Sequence, residues 1–408
     1  MFRFGGGDRP ENPASPCFTG IGEAQRSASR PLDMASSLKT ILVTGGSGFI
    51  GSHFVRLLLQ QPDRRVVNVD KLSYAATGSR LGDLEGHPGY TFHQLDLGDE
   101  GATEALDAIF AKHLPDAVVH LAAESHVDRS IDGPDAFIRS NLNGTAHLLQ
   151  AALAYWRDRS GPAFPEVRSS VRLPDFRFLH VSTDEVYGSL RPDQPACLEG
   201  SPYAPNSPYA ASKAGADHLV RAWQQTYGLP TLLTHATNNY GPAQFPEKLI
   251  PTALLNGLRN EPIPLYGDGQ QCRNWLFVRD HCRALLRILE NGQTGESYHT
   301  GGRDELANRE LVVRVCRLLD ELHPADRPTA GYASLITRVA DRPGHDRRYA
   351  LDDTKIRQTL GWESETRLDE GLRETILWYL DHRSWWEPLV TEKGGALRRR
   401  GLGASRED

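Results

Sequence analysis

Tyr209 and Lys213 stand four residues apart in SPYAASKAGADHLVRAW (207–223), a spacing that puts a phenol and an ammonium on one helix face. Ser207 suits an N-cap, Pro208 the first helical turn and Gly228 the stop, so the sequence predicts a bounded helix carrying both groups. Upstream, the apolar run RFLHVS (177–182) leads directly into Thr183-Asp184-Glu185. A hydroxyl at a strand's carboxyl end can hold a substrate alcohol, and two carboxyls after it offer an acid and a base. Their alternative is a polar strand exit opening a turn. Further upstream, TGGSGFIG (44–51) places glycines at 45, 48 and 51 between an apolar run and a helical stretch. That pattern suits a pyrophosphate: Gly45 permits a tight turn, Gly48 close backbone approach and Gly51 close helix packing, with free N–H groups facing the anion. The next apolar run ends at Asp70, 19 residues beyond Gly51. A carboxylate there accepts from ribose hydroxyls and repels a 2′-phosphate, which favours NAD over NADP. Asp96, after TFHQLD, is placed to meet the adenine amine or to cap its own loop. Leu121-Ala122-Ala123 offers small residues at a strand end for a flat cofactor. With NAD, the ammonium and the cationic nicotinamide both favour phenolate, so Tyr209 is predicted to fall from ~10 toward neutrality.

These groups need a scaffold of strands ending on one edge. Thr40–Thr44, Val66–Asp70, Ala117–Leu121, Arg177–Ser182 and Thr231–His235 read as buried strands, with helical stretches such as Phe49–Gln60 and Ala136–Trp156 between them. The alternation predicts an α/β chain with a Rossmann-like, doubly wound, mostly parallel sheet. After Thr237 the pattern loosens into Pro- and Gly-rich loops with helices at Glu310–Leu322 and Leu368–Leu380, which predicts a smaller, interleaved α/β domain. The expected division is residues 39–236 with about 273–300 for the cofactor domain, and 237–272 with about 301–387 for the second. Residues 1–38 and 388–408 lack apolar periodicity and read as unstructured ends, the first either a tail or an over-long start before Met34.

The composition restricts the function classes. The 408 residues carry 46 basic and 52 acidic side chains, a formal charge of −6, with no electrostatic footprint for nucleic acid or an anionic membrane. No apolar run reaches the ~20 residues of a membrane span, and the first residues lack a secretory core, so a cytoplasmic protein is expected. Five cysteines without a CxxC pair, and histidines at 120, 126 and 345 without compact ligand spacing, argue against a disulfide framework or a metal site.

Over residues 39–382 the chain resembles the extended short-chain dehydrogenase/reductases, and within them the dTDP-glucose 4,6-dehydratase family. The resemblance is carried by TGGSGFIGSH (44–53), NVDKLSYA (68–75), HLAAESHVDRSI (120–131), STDEVYG (182–188), SPYAASKAGADHLVRAW (207–223), NNYGPAQFPEKLIP (238–251) and DRPGHDRRYA (341–350). It implies that Tyr209 is the base oxidising the glucose 4-hydroxyl, with Lys213 and Thr183 in support. Glu185 would remove the carbon-5 proton while Asp184 protonates the departing 6-hydroxyl. It further implies that Phe49, Ile50, Asp70, Lys71, Leu72, Ser73, Asp96, Leu97, Leu121, Ala122, Ala123, Ser140 and Asn239 line NAD alongside Tyr209 and Lys213. Ser125, Thr183, Asn238, Lys248, Leu249, Pro264, Leu265, Tyr266, Arg273, Asn308, Asp341, Arg342 and His345 would form the nucleotide-sugar site, with Arg273 gripping the diphosphate bidentately. A homodimer through the helices around 136–156 and 208–227 is also implied. Cys272 and Asn274 depart from the family pattern, and the 157–176 link is longer and more polar. The competing readings are a UDP-glucose 4-epimerase or UDP-glucuronate decarboxylase, which lack the Asp184-Glu185 pair, and a non-catalytic NAD-sensing protein.

Overall fold

A computed structural model describes residues 38–76, 80–160 and 176–391. The apolar runs form strands β1 (Thr40–Thr44), β2 (Arg65–Asp70), β3 (Tyr90–Gln94), β4 (Ala117–His120), β5 (Arg177–Thr183), β6 (Thr231–Ala236), β7 (Asn238–Tyr240), β8 (Ile263–Tyr266), β9 (Cys272–Phe277), β10 (Ser297–Thr300), β11 (Asp304–Ala307) and β12 (Ile336–Val339). Seven of them make one sheet in the order β10-β6-β5-β4-β1-β2-β3. Every pairing in it is parallel, β1 against β2 and β4 at its centre.

Alternation along β1 explains why both faces are covered. Ile41 and Val43 enter an apolar cluster with Phe54, Val55 and Leu58 of the helix Phe49–Leu59 and Leu285 and Ile288 of the helix Val278–Asn291. Leu42 points the other way, into a cluster with Leu106, Phe110, Leu148 and Leu149 from the helices Ala102–His113 and Gly144–Ser160. Burial on both faces demands continuous apolar strands, which is what made these segments readable.

Two small sheets lie outside this layer. β9 is flanked by β7 (parallel) and β11 (antiparallel), and β8 pairs in parallel with β12. They share an apolar core with the helices Leu249–Leu258, Asn308–Leu322 and Leu368–Asp381.

The structure departs from the expected boundaries in two places. The return to the large sheet, expected near residue 273, comes after β9, whose residues Cys272–Phe277 belong to the small sheet. The chain also does not become a tail at Pro388: a helix, Arg383–Thr391, runs through that proline and buries Trp386 and Val390 in the second core. The aromatic pair at 385–386 supplies what apolar periodicity alone did not signal. Of the expected ends 1–38 and 388–408, residues 1–37 (with Met34) and 392–408 lie outside the described residues, as does most of the 157–176 link. Among the described residues no helix is long and apolar enough to cross a membrane.

Candidate active site

The glycine loop joins β1 to the helix Phe49–Leu59. Gly45 has φ +73°, and a Cβ on it would lie 2.5 Å from the Ala122 nitrogen. A Cβ on Gly51 would lie 2.1 Å from the Gly45 oxygen, so helix and loop touch backbone to backbone there. At Gly48, by contrast, a Cβ would meet only the Gly45 oxygen, at 3.2 Å, leaving its outer side open at the helix start. A cleft lies at the carboxyl ends of β2, β3 and β4, lined by Asp70, Lys71, Ser73, Asp96, Leu97, Ala122, Ala123 and Ser140. The open side of Gly48, the cleft and the carboxylate at its wall fit a dinucleotide such as NAD.

Asp70 is held from behind. Its Oδ2 accepts from Ser47 N (3.0 Å) and its Oδ1 from Leu72 N (2.8 Å), and burial raises its pKa while these donors oppose the rise. The same turn holds Leu72 at φ +56°. Lys71 donates to Ser140 Oγ (2.8 Å) and pairs with Glu124 (2.7 Å). Asp96 does cap its loop, accepting from Gly98 N at 2.9 Å, and also pairs with Arg139 at 3.0 Å. Leu121 donates its N–H to Thr44 O (3.0 Å), continuing the β4 ladder past the strand end. Phe49 and Ile50 pack on the first core. Asn239 is engaged at both ends, by Thr237 O and His281 Nδ1 (each 2.9 Å).

At the end of β5, Thr183 ties three groups together. Its hydroxyl donates to Asp184 Oδ1 (3.2 Å), accepts from Glu185 N (3.3 Å), and is hydrogen-bonded to the Tyr209 phenol. The 3₁₀ turn Asp184–Tyr187 begins here, with Asp184 buried and Glu185 half-buried. Asp184 is 3% exposed and its Oδ2 is buried without a hydrogen-bond partner. Burial, and then the charge of Glu185, raise its pKa to about 8, against the opposing Arg273 charge and Thr183 hydrogen bond. Glu185 is also raised by burial, but Arg342, Arg273 and Lys248 all oppose that shift. The two carboxyls therefore sit in different fields, one mostly desolvated and one facing three cations.

Tyr209 and Lys213 occupy the helix Pro208–Tyr227, capped by Ser207 Oγ accepting from Ala210 N (3.1 Å) and ended by Gly228. The expected lowering of the phenol is not produced by the protein's own charges: burial and then Glu185 hold Tyr209 above its ordinary value. Lys213 donates to Val181 O (2.9 Å) and lies 3.3 Å from His180 Nε2. Burial lowers its pKa to about 8, with Asp217 opposing.

The other expected ligand-binding residues divide into those that face one another and those that do not. Lys248 Nζ donates to Ser125 O (2.8 Å). Arg342 and Tyr266 meet on Asp128 (3.1 and 3.2 Å), and His345 lies 2.6 Å from Asp341 and edge-on to Tyr266. Asn238 and Asn308 each bury an Oδ1 that has no partner. Pro264 and Tyr266 are half-buried on β8, whereas alternation sends Leu265 into the second core, and Leu249 packs on that core as well. Arg273 differs most from expectation. It is 4% exposed, stacks over Tyr349 at 4.2 Å, and spends both terminal nitrogens on the Cys272 and Asp346 carbonyls (2.8 and 2.9 Å). Its charge acts on Asp184 and Glu185 in place of an open bidentate fork. Its unusual neighbours serve β9 itself: Asn274 Oδ1 accepts from Gly302 N, and Cys272 Sγ faces Gln270 O.

A buried group behind the site was not singled out from sequence. His180, Asp217 and His235 meet there, Asp217 accepting from Ser182 Oγ at 2.8 Å. The available signal was Asp217 itself, four residues after Lys213 on the same helix face. Among the described residues no group of three or more His, Cys, Asp or Glu could hold a metal.

The parallel sheet with its glycine loop, and a Tyr209/Lys213 helix beside a strand-end hydroxyl, define an extended short-chain dehydrogenase/reductase. A family model described as GDP-mannose 4,6 dehydratase matches residues 42–375. The chain is 50% identical over 371 residues to the dTDP-glucose 4,6-dehydratase of Neisseria meningitidis serogroup B, covering 90% of this chain and 100% of that one. It is 50% identical over 366 residues to dTDP-glucose 4,6-dehydratase 1 of Escherichia coli K12, covering 88% and 96%. The solved structure of DesIV, a dTDP-glucose 4,6-dehydratase from Streptomyces venezuelae with NAD and TYD bound, matches with a TM-score of 0.74 at 45% identity, covering 86% of this chain and 99% of that one. The chain belongs to the GDP-mannose 4,6 dehydratase family, and within it to the dTDP-glucose 4,6-dehydratases.

Proposed function

We propose that the chain converts dTDP-glucose to dTDP-4-keto-6-deoxyglucose. The observation that carries this reading is the carboxyl pair at the end of β5, with Asp184 raised to about 8 and hence protonated at neutral pH, beside a Glu185 that three cations surround. NAD, which the loop 45–51 and the cleft walls would hold, would accept the hydride from carbon 4 at the start and give it to carbon 6 of the double bond left by water at the end. With NAD bound, its cationic nicotinamide and the Lys213 ammonium would together favour the phenolate against the burial that holds the phenol up, and Tyr209 would then take the proton of the 4-hydroxyl, which Thr183 holds. The ketone formed at carbon 4 acidifies the hydrogen on carbon 5, and Glu185 removes it. Asp184 gives its proton to the oxygen leaving carbon 6, so water departs and Asp184 is left ionised. Glu185 then returns a proton to carbon 5. An acid and a base working side by side need carboxyls in different surroundings, and here burial and a neighbouring carboxyl dominate at Asp184 whereas three cations oppose burial at Glu185.

Supporting the same reading, Lys248, Arg342, Tyr266 and His345 surround the position a nucleotide sugar would take, with Arg273 acting on the carboxyls from behind. In this division of labour residues 39–236 with 278–300 hold the cofactor, and 237–277 with 301–391 the nucleotide sugar. A cytoplasmic homodimer joined through the helices around 136–156 and 208–227 completes the proposal. The test is incubation of the purified protein with dTDP-glucose and no added reductant, read by mass spectrometry for loss of one water. NAD-loaded protein that leaves the sugar intact refutes the reading.

A further inference from the structure

We propose that Asp217, acting through His180, is the positioning residue that keeps Lys213 in its ammonium form, extending the functional helix face to Tyr209, Lys213 and Asp217. Successive members are four residues apart, so they share one face of the helix Pro208–Tyr227. This inference rests on the supporting role proposed above for Lys213.

All three groups are buried. A buried ammonium loses its hydration, and its deprotonation is the cheapest escape unless an anion stands nearby. Two contacts hold Lys213 Nζ: Val181 O, a neutral carbonyl at 2.9 Å, and His180 Nε2 at 3.3 Å. The same His180 nitrogen lies 3.2 Å from Asp217 Oδ1. An ammonium can donate to that nitrogen, and an Nε2–H can donate to the carboxylate; in either arrangement the carboxylate balances the positive charge. Burial pulls Lys213 down and Asp217 pulls it back up.

The other titratable groups around the lysine do not replace Asp217. His120 on β4, its ring tilted against that of His180 at 5.1 Å, and His180 on β5 are both kept neutral by burial and add no negative charge. Tyr209 is held protonated, and Asp184 is protonated at neutral pH. Glu185 faces Arg342, Arg273 and Lys248. On the far side, His235 from β6 lies 3.2 Å from Asp217 Oδ2, and Ser182 donates to the same oxygen. Against the opposing effect of burial, His180 and His235 hold Asp217 far below the usual carboxylate range, so the anion persists at neutral pH.

The experiment uses the full chain with lysine labelled by ¹³C at Cε. Only seven lysines occur, and the Lys213 signal is the one lost in Lys213→Arg. In the wild type it should titrate below the other lysines yet remain charged at pH 7. In Asp217→Asn its midpoint should fall by at least about one pH unit, and in Asp217→Glu it should return toward wild type. The oxidation step, followed by absorbance of the reduced cofactor, should lose its alkaline side at correspondingly lower pH in Asp217→Asn and recover in acid. An unmoved Lys213 midpoint overturns the proposal, as does an oxidation rate lowered equally at every pH, the mark of structural damage. Should Asp217→Asn fail to fold, a wild-type Lys213 already neutral at pH 6.5 overturns it as well. Because the titration needs no turnover, it separates this proposal from the proposed activity.

Discussion

Replacing Asp184 by asparagine removes the one proton that the site holds ready for the departing hydroxyl, while keeping the shape of the side chain. With the carboxyl raised to about 8, the protonated fraction is about 0.9 at pH 7 and about 0.1 at pH 9. Water loss in the wild type should therefore fall about tenfold between those pH values and about tenfold for each further unit. Asp184→Asn should slow water loss by about 10²–10⁴-fold, the usual worth of a positioned acid, and the residual rate should lose this Asp184-dependent fall. Initial oxidation, measured separately by absorbance of the reduced cofactor, should change far less. Stability moves in the opposite sense. A carboxyl whose folded pKa lies above its ordinary value favours the folded state most at low pH, and that advantage is lost as pH rises from about 4 to about 8. Asp184→Asn should accordingly melt above the wild type at pH 8, since the variant has no buried charge to form. A wild-type rate of water loss that is level through pH 9, or a variant that eliminates water normally, refutes the assignment of Asp184 as the acid.

Glu185→Gln should abolish exchange of the carbon-5 hydrogen with solvent deuterium, seen by mass spectrometry, while the first oxidation continues; unchanged deuterium incorporation would sink its role as base. Gly51→Ala forces a carbon to 2.1 Å from the Gly45 oxygen, so NAD affinity and melting temperature should both fall, with a stability cost of about 1–3 kcal/mol or more. Trp386→Ala empties a buried indole position whose Nε1 donates to Tyr379 O at 2.7 Å, and should cost about 3–5 kcal/mol in denaturant unfolding; a loss below about 1 kcal/mol would show that the last helix adds little to the second core.

The parts of the molecule that could be read from sequence are those whose physics is local. Strands buried on both faces must be apolar without interruption, which exposed β1, β2, β4, β5 and β6. The loop at 44–51 repeats a spacing that its backbone geometry requires, and Thr183-Asp184-Glu185 advertises itself by following an apolar run. What escaped depends on distant segments. Whether the guanidinium of Arg273 is open or tied is decided by the Asp346 carbonyl, 73 residues away. The environment of Lys213 is set by His180 from one strand and, through Asp217, by His235 from another. Tyr209 was expected to be lowered by the Lys213 ammonium together with a cationic nicotinamide, whereas within the protein itself burial and Glu185, both products of the tertiary fold, push it the other way. The resemblance implied Leu265 as a sugar-site residue, and its position on β8 turns it into the second core instead.

The outermost strand of the large sheet, β10, pairs with β6, although β7, β8 and β9 come between them in the chain. During synthesis, then, the outer edge of β6 has no partner until residue 300 has emerged, by which time the residues of β7, β8 and β9 have already been made. The two halves cannot be made one after the other, and a gene cut after β6 would leave a bare strand edge where its neighbour belongs. Exchange of the sugar-binding half between relatives, to alter what is dehydrated, therefore requires a graft with two seams, one after Ala236 and one before Val278, and a third junction beyond Thr300.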